Sequence, residues 1–489
     1  MKKSLLILAC FAGFNSMAQN EFIAYPATGK GVSSTFVTDY HCLGINPANL
    51  GWQAYPEKHT TLGTSEFGVS VYSASLAKQD LRDNIWGVVK SGSLDSLTYE
   101  QKRDAINGFA DDFAFNWDYN MFGASYQSPK FGGIAVSIRS RATWNSSLSQ
   151  DFSELLFQGN FSNYFDTLQY YNGTDTVNIA NNQNISQDSA GNVVGGTASI
   201  PWNMSQLVGN SQMRMSLNRE FHVGYGRRLL NIDSVFSLYG GIGFKYIQGI
   251  AMMNLSNEGG VLQMYSAFSP GFEIDYEAGL NSLPAQSQTF WRSPVGQGYG
   301  LDFGVNMTFF NKLHVAASVT NIGSMTYTGN VYEATDTLVV SYSRDGLSDM
   351  NIANSIPEML EGSGLFKLKG LTEKKITLPG TLRIGASLEL GKFIHVGAEI
   401  VAPFNDVPGS INGFAYGLGG DVKLADGKII LMTGITGGGG YDTQIPMGIN
   451  FCFGGGAYEV GIASRDAVTF FSENKPTISA AFGFARVRF

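Results

Sequence analysis

The amino-acid sequence predicts an all-β fold, a 14-stranded antiparallel transmembrane β-barrel with an N-terminal hatch segment and long extracellular loops. Charged residues make up only 15% of the chain, whereas aromatic residues reach 13% and glycine occurs 60 times. Apolar and polar residues alternate over many stretches, which short and long connections separate in turn. A soluble domain usually has about a quarter charged residues. Low charge combined with period-two alternation is typical of transmembrane strands.

The N-terminus has the pattern of a secretory signal peptide. Lys2 and Lys3 precede a mostly apolar run from Leu5 to Phe14, and Ser16-Met17-Ala18 forms a small-x-small cleavage site. We therefore expect residues 1–18 to be a signal peptide that is cleaved on export. Beyond it, no stretch reaches the ~18 apolar residues that a membrane helix needs.

The C-terminus has the pattern of a terminal barrel strand. Residues Ala485–Phe489 alternate small or apolar side chains with arginine and finish on phenylalanine. This end resembles the C-terminal signal that outer-membrane β-barrels of Gram-negative bacteria present to their insertion machinery. The chain is therefore expected to be a multi-pass barrel of the outer membrane, surrounded by its lipid and recognised by the insertion machinery through Phe489.

Fourteen alternating stretches are predicted to be strands. In the clearest one, Ile134, Val136 and Ile138 face one way, while Ser137 and Arg139 face the other. Periplasmic turns of such barrels are short and extracellular loops are longer. The short connections are expected near 128–132, 231–234, 310–312, 391–392, 426–427 and 454–456, and the long ones at about 78–112, 148–217, 252–297 and 328–376. A secreted β-sandwich or solenoid would alternate as well, but connections of this length are uncommon in a sandwich.

A fourteen-stranded barrel has a lumen that needs filling, because it is wider than the barrels that side chains alone fill. Residues 19–59 are rich in Gly, Pro, Ser and Thr and are expected to lie inside as a hatch, with the barrel spanning 60–489. Two helix-like pieces, Leu81–Lys90 and Tyr99–Phe109, either line the extracellular entrance or pack on the loop layer.

Charges of both signs lie on the predicted inward faces. They form either a polar path that holds a carboxylate or an ion-pair network that braces the barrel and anchors the hatch, and the cost of burying unpaired charge favours the network. Arg139 and Arg141, on one strand face, are the best candidates for contact with an anion. The candidate lumen residues are Arg139, Arg141, Lys245, Asp302, Arg383, Glu389 and Glu399, together with Asp118, Asp421, Lys423, Glu459, Arg486 and Arg488.

Two cysteines follow the signal peptide, Cys42 and Cys452. In an oxidising compartment they could form a disulfide between the hatch and a late strand. Two small buried apolar side chains are the equally open alternative.

Nothing in the sequence has the signature of an enzyme. None of the five histidines lies in a His-Glu-x-x-His helix or a Gly-x-Ser-x-Gly elbow. The chain also has no Cys-x-x-Cys pair. We therefore predict no catalytic residue, no metal site and no cofactor. No basic run indicates a nucleic-acid partner.

Four groups of residues have a motif-like composition. They are Ile45-Asn46-Pro47-Ala48-Asn49-Leu50, Gly243–Gly249, Gly300–Gly304 with Thr320–Gly323, and Leu378–Gly385. Together they resemble the FadL-type outer-membrane transporter superfamily, including its PorV-like branch. The resemblance implies fourteen strands, an N-terminal hatch, and passage of fatty acids or other hydrophobic compounds through a lateral opening in the wall.

Two functions follow as hypotheses. The first is passive uptake of a hydrophobic, fatty-acid-like small molecule, which enters between the loops, binds inside the wall and is released by a shift of the hatch around Asn46-Pro47-Ala48. The second, implied by the PorV-like branch, is a non-transport accessory barrel of a type IX secretion or surface-assembly complex whose loops bind secretion or surface proteins. An inner apolar pocket beside the hatch favours uptake. A lumen filled by ion pairs, with an apolar patch on the loops, favours the accessory role.

Overall fold

The computed structural model describes residues 24–73, 106, 112–181, 191–233, 235–274, 276, 291–344, 346–347, 359–360, 365–411, 413–468 and 477–489. The predicted signal peptide lies outside this part of the chain, as do the helix-like pieces at 81–90 and, apart from Ile106, at 99–109. No helix in the described part combines the length and apolar character needed to cross a membrane.

Fourteen antiparallel strands close into one barrel, as the alternation predicts. Each strand pairs with the next along the chain, and the last pairs with the first, from Thr61 opposite Arg488 to Tyr72 opposite Thr477. The strands are β1 Thr60–Ser73, β2 Phe113–Ser128, β3 Gly132–Ser147, β4 Gln212–Ile232, β5 Phe236–Glu258, β6 Gly296–Phe309, β7 Leu313–Tyr327, β8 Thr381–Leu390, β9 Ile394–Pro403, β10 Ala415–Leu424, β11 Ile429–Gly438, β12 Met447–Phe453, β13 Tyr458–Ser464 and β14 Thr477–Arg488.

Connections of three or four residues join the even strands to the odd strands that follow, at one end of the barrel. The connections at the other end are longer and carry the remaining elements. This parity confirms the predicted orientation of the strands, with the short turns on the periplasmic side. The additional strands are Thr167–Tyr171, Thr176–Ala180, Val193–Asn203, Val261–Phe268, Val331–Ala334, Leu338–Tyr342, Leu368–Gly370, Lys374–Thr377 and Tyr441–Gln444, and the helical turns there are Gln150–Gln158, Gly159–Phe161, Met204–Val208 and Pro270–Phe272.

Strands β4 and β5 extend further toward the long loops than the sequence predicts, since β4 begins at 212 rather than 218 and β5 continues to 258 rather than 251. The reason is packing outside the membrane. The outward side chains Met213 and Met215 do not meet lipid, because they join an apolar cluster with Phe152 and Leu207 of two loop helices. This cluster joins the loop layer to the barrel.

The two faces of the barrel wall differ in polarity. In β6, the outward side chains Leu301, Phe303 and Val305 are 38–43% exposed, while inward Asp302 and Asn306 are buried. An apolar outer band around a polar interior is the pattern of outer-membrane β-barrels. The chain is therefore a barrel of the outer membrane.

Candidate functional site: the lumen and its hatch

Residues 24–50 lie inside the barrel and are almost entirely buried. This segment, called the hatch below, has three single turns, Tyr25–Thr28, Asp39–Cys42 and Pro47–Gly51. Asn46 begins the last of them, because its side chain accepts a hydrogen bond from Ala48 N at 3.0 Å. Pro47 suits the next position, since the first residue of a helical turn needs no N–H for hydrogen bonding within the turn. Turns of this kind satisfy the hatch backbone locally.

The wall approaches the hatch at glycines. A Cβ atom on Gly241 of β5 would lie 2.3 Å from Ala48 N, and one on Gly304 of β6 would lie 1.9 Å from the Asn46 side-chain oxygen. Only glycine permits such contact between a strand and the hatch backbone. The Asn-Pro-Ala motif of the hatch is therefore matched to glycines of the wall.

Asn46 and Asn49 fix the position of the hatch motif. The Asn46 amide donates to Val305 O at 3.1 Å, and the Asn49 amide donates to Ser34 O and Val37 O, both at 2.8 Å. The Asn49 side-chain oxygen accepts from Asn306 of β6 at 2.8 Å. The first asparagine thus binds the wall, while the second binds both the wall and the hatch itself.

Glu66 of β1 fastens the middle of the hatch. Its carboxylate accepts from the Tyr40 hydroxyl at 2.7 Å and contacts His41 Nε2 at 2.8 Å, and Asn120 of β2 donates to it at 2.7 Å. Sequence reasoning missed Glu66, because it lies next to Ser65, a residue of positive φ that interrupts the alternation of β1.

A chain of ion pairs connects the hatch to β13 and β14. Arg486 contacts Asp39 of the hatch, and its other nitrogen lies 3.2 Å from Glu459. Glu459 also accepts from Arg488 at 2.5 Å. A comparable pair joins Lys30 of the hatch to Asp421 of β10 at 2.7 Å.

Glu399 of β9 holds the turn at Ser33 and Ser34. Its Oε2 accepts from both backbone amides, at 3.1 Å and 2.8 Å, and both serine hydroxyls also donate to the carboxylate. Arg383 of β8 lies 3.8 Å from the same carboxylate. These two sequence-predicted residues therefore bind the hatch.

Arg139 and Arg141, the sequence-based candidates for contact with an anion, already have protein partners. Arg139 is buried and donates to Leu43 O of the hatch at 3.0 Å. Arg141 lies 3.1 Å from Asp118 and 3.8 Å from Glu220. Their contacts are those of the bracing network rather than of a ligand site.

The other motif-like stretches meet at one irregularity of the wall. The strand register shifts between Leu301 and Phe303 of β6, because Thr320 and Asn321 of β7 together lie opposite Asp302. Asn321 has φ +62°. Lys245 Nζ lies 3.0 Å from Asp302 Oδ1 and donates to Asn321 Oδ1 at 2.5 Å, while Asn321 N donates to Asp302 at 2.8 Å. Asparagine tolerates positive φ better than most residues. Sequence reasoning selected Lys245 and Asp302 as lumen residues and named Asn321 only as part of the Thr320–Gly323 motif, without predicting that it joins them.

An apolar cluster fills the lumen on the extracellular side of this irregularity. The inward faces of Gly296, Gly298 and Gly300 in β6 accommodate Tyr327, Met325 and Leu378, respectively. This inner apolar cluster consists of Ile247, Met252, Ala267, Val295, Met325, Tyr327, Val331 and Leu378.

A cavity of about 990 Å³ lies on the opposite, periplasmic side of the hatch. We call it the vestibule. Residues 51–56 of the chain and the short turns line it, with Trp52, His314 and Glu389 among its side chains. Along the inner face of β6, the inner apolar cluster comes first, followed by Asp302. Gly304 and Asn306 come next and contact the hatch, and the vestibule lies beyond them.

The two cysteines are free and buried, so the structure holds no Cys42–Cys452 disulfide. Cys42 packs in the apolar cluster of the hatch with Leu43 and Ile45, whereas Cys452 lies against Tyr55 in the vestibule wall. Burial raises the pKa of the Cys42 thiol well above its usual range.

The histidines make hydrogen bonds within the wall and the hatch. His222 contacts Glu220 at 2.7 Å, His314 contacts Thr308 at 3.1 Å and His395 contacts Ser387. In the described ranges, no group of three or more His, Cys, Asp or Glu side chains is arranged to hold a metal ion.

Several solved barrels are similar to this chain. The TodX deltaS2S3 mutant monoaromatic hydrocarbon channel has 10% identity and a TM-score of 0.41, covering 95% of this chain and 98% of that one. A Pseudomonas aeruginosa FadL homologue has 9% identity and a TM-score of 0.41, with 98% and 99% covered. The Pseudomonas putida toluene transporter TodX has 11% identity and a TM-score of 0.39, with 97% and 99% covered.

Identities near 10% and TM-scores near 0.4 leave the fold assignment to the strand pairing of the chain itself. That pairing gives fourteen strands around an N-terminal hatch, the two fold features that the FadL-type resemblance implies. No curated protein matches the chain. A family model does match residues 53–408, which include strands β1 to β9, and the chain therefore belongs to this family of unknown function (DUF5723).

Proposed function

We propose that the protein is an outer-membrane channel for passive uptake of a hydrophobic, fatty-acid-like small molecule. The observation that carries the proposal is the inner apolar cluster, which lies in the lumen directly on the extracellular side of the hatch. Apolar side chains on the inside of a membrane barrel have no lipid to face. A hydrophobic ligand that replaced or joined them would leave water without contacting the polar wall.

The composition of the cluster suits weak and reversible binding. Met252 and Met325 have flexible, polarisable side chains that adapt to ligands of different shape. Burial of about 200 Å² of ligand surface would contribute roughly 5 kcal/mol. This corresponds to a dissociation constant of about 0.1–1 mM, from which a ligand can move on without an energy source.

The hatch separates the inner apolar cluster from the vestibule. Along β6, the two are connected through the contacts of Gly304 with Asn46 and of Asn306 with Asn49. These contacts are short-range and polar, so water can replace them when the hatch shifts. A shift around Asn46-Pro47-Ala48 would open the path along the inner face of this strand.

A second function is favoured by a different observation. The extracellular sheet formed by 338–342, 193–203, 167–171 and 176–180 exposes a group of apolar side chains. Ile200 is 77% exposed and Leu338 is 57% exposed, with Trp202 and Val340 beside them. Large exposed apolar side chains mark protein contacts, so an accessory role in a secretion or surface-assembly complex is the alternative that we propose.

The uptake proposal is tested with a reversible lock on the hatch. We expect cells that lack their own fatty-acid transporter to take up a fluorescent dodecanoate when they express this protein. The variant Asn46→Cys/Gly304→Cys would place two thiols face to face at the hatch contact. Under oxidation uptake should fall to the background of cells without the protein, and a reductant should restore it.

The single variant Asn46→Cys is the matched control, because it keeps Gly304 and has no thiol opposite it with which to form the lock. Uptake equal to that of cells without the protein would contradict the transport proposal. Normal uptake by the oxidised double variant would show that the hatch does not need to move. If Ile200→Ser/Leu338→Ser abolishes a copurifying partner while the wild type takes up no dodecanoate, the accessory role is supported instead.

A further inference from the structure

The vestibule has an excess of positive charge, although the whole chain has a formal net charge of −8. Eight lysine and arginine side chains line it, against five aspartates and glutamates. A fatty-acid-like molecule carries at most one negative charge, so its uptake does not require an excess of this size. The vestibule opens at the short-turn end, so its charge faces the periplasm.

Three of the five carboxylates are already neutralised by the wall and the hatch. Asp39 and Glu459 pair with Arg486 and Arg488, and Asp421 pairs with Lys30. The remaining carboxylates, Glu389 and Asp426, face a larger group of cations. In the described part of the chain no carboxylate lies within ion-pair distance of the side chains Lys58, Arg228, Lys392, Lys423 and Lys428.

These five cations are distributed around the cavity rather than gathered at one point. Lys58 precedes β1, Arg228 lies near the end of β4, Lys392 is in the β8–β9 turn, and Lys423 and Lys428 flank the β10–β11 turn. A small anion would need cations that converge on one position. Cations spread around a cavity of about 990 Å³ fit an extended chain that carries several negative charges.

The vestibule floor also has features that suit a peptide. Trp52 and Tyr55 present aromatic rings, and Trp52 Nε1 is a buried donor with no hydrogen-bond partner among the residues that the structure describes. An unpaired buried donor is costly and is satisfied when a carbonyl or carboxylate oxygen approaches. Aromatic side chains are enriched at surfaces that bind polypeptide.

We propose that the vestibule binds an acidic, extended peptide segment of a periplasmic protein. Membrane lipid is the less suitable occupant, because these side chains line the cavity and not the outer, lipid-facing surface. Exposed ion pairs are individually weak, so binding needs several of them at once and weakens as salt screens them. The inference is independent of the uptake proposal, since such a segment could dock to a transporter or to an accessory barrel.

The test uses the full-length protein in detergent micelles and a fluorescein-labelled hexaglutamate peptide, with hexalysine as the comparison. Fluorescence anisotropy is expected to show binding of hexaglutamate but not of hexalysine. The affinity should fall at least tenfold between 50 and 300 mM salt, over which the Debye length shortens from roughly 14 to roughly 6 Å. Lys392→Glu/Lys423→Glu should weaken binding by at least tenfold.

Lys130→Glu/Lys312→Glu is the matched control, because these two lysines lie in turns of the same end but outside the vestibule lining. It should bind hexaglutamate as the wild type does. An equal loss in both double variants would overturn the proposal in favour of non-specific attraction, as would equal binding of hexaglutamate and hexalysine. Complete displacement of hexaglutamate by inorganic phosphate at the same charge concentration would indicate a small-anion site instead. Heat-modifiable migration of each variant on a gel shows that its barrel is folded.

Discussion

Replacement of Glu399 by glutamine is expected to release the hatch turn at Ser33 and Ser34 while the barrel stays closed. The buried carboxylate accepts from the backbone amides and hydroxyls of Ser33 and Ser34 and lies 3.8 Å from Arg383. Glutamine has nearly the same shape, but its amide nitrogen would face donors. It would also leave Arg383 without this negative charge.

The magnitude follows from these contacts. A hydrogen bond to a charged acceptor contributes about 1.5–3 kcal/mol and a neutral one about 0.5–1.5 kcal/mol, so the two backbone amides together lose roughly 2 kcal/mol. One further hydrogen bond is lost where the glutamine NH2 group faces a donor instead of accepting from it. The removal of one partner from a buried charge pair costs about 3–5 kcal/mol when all such effects are included. We therefore expect the local opening free energy at Ser33 and Ser34 to fall by about 3 kcal/mol, or roughly 150-fold in the opening equilibrium.

Hydrogen exchange with mass spectrometry measures this change directly. Peptides that contain Ser33 and Ser34 should exchange far faster in Glu399→Gln, while peptides from β1 and β14 should keep their protection. Glu389→Gln is the control, because it makes the same substitution on the neighbouring strand at a carboxylate that faces the vestibule. Unchanged protection of the serines in Glu399→Gln, or an equal change in Glu389→Gln, would refute the assignment of Glu399 as a hatch anchor.

Two further predictions follow from burial and close packing. Because burial raises the pKa of the Cys42 thiol, little thiolate exists at pH 8. N-ethylmaleimide should therefore leave this residue unmodified in the folded barrel and modify it after heat unfolding, which mass spectrometry can show. Rapid labelling of the native protein would contradict its burial. Gly241→Ala would place a methyl group 2.3 Å from the hatch backbone and should raise hydrogen exchange across residues 45–50, whereas Gly240→Ala, whose methyl group meets only the flexible end of Leu229, should not. Equal exchange in the two alanine variants would rule out close contact at this position.

Local sequence patterns predict the wall of this barrel well. Alternation with a period of two distinguishes the inward from the outward face without any knowledge of strand partners, and the parity of connection lengths gives the orientation in the membrane. The predicted start of β4 and the predicted end of β5 were wrong for a physical reason. Their outward methionines meet loop helices beyond the membrane, and an apolar side chain in a strand gives no indication of whether it faces lipid or protein.

The candidate site shows the same limit more clearly. The sequence placed Arg139, Arg141 and Glu399 on the lumen face and favoured a bracing network over a ligand path, but it could not identify the partners of these residues. It also named Asn321 in a motif without giving it a role, because that role depends on the register shift between β6 and β7.

The sequence by itself thus determined the number, order and facing of the strands, because each of these depends on residues close together in the chain. Only the tertiary structure decided what the charges do. Glu399 binds Ser33 across 366 residues of sequence, and Arg486 reaches Asp39 across 447. Such pairs form because closure of the barrel brings distant strands around one hatch, and no local pattern records which carboxylate will face which donor.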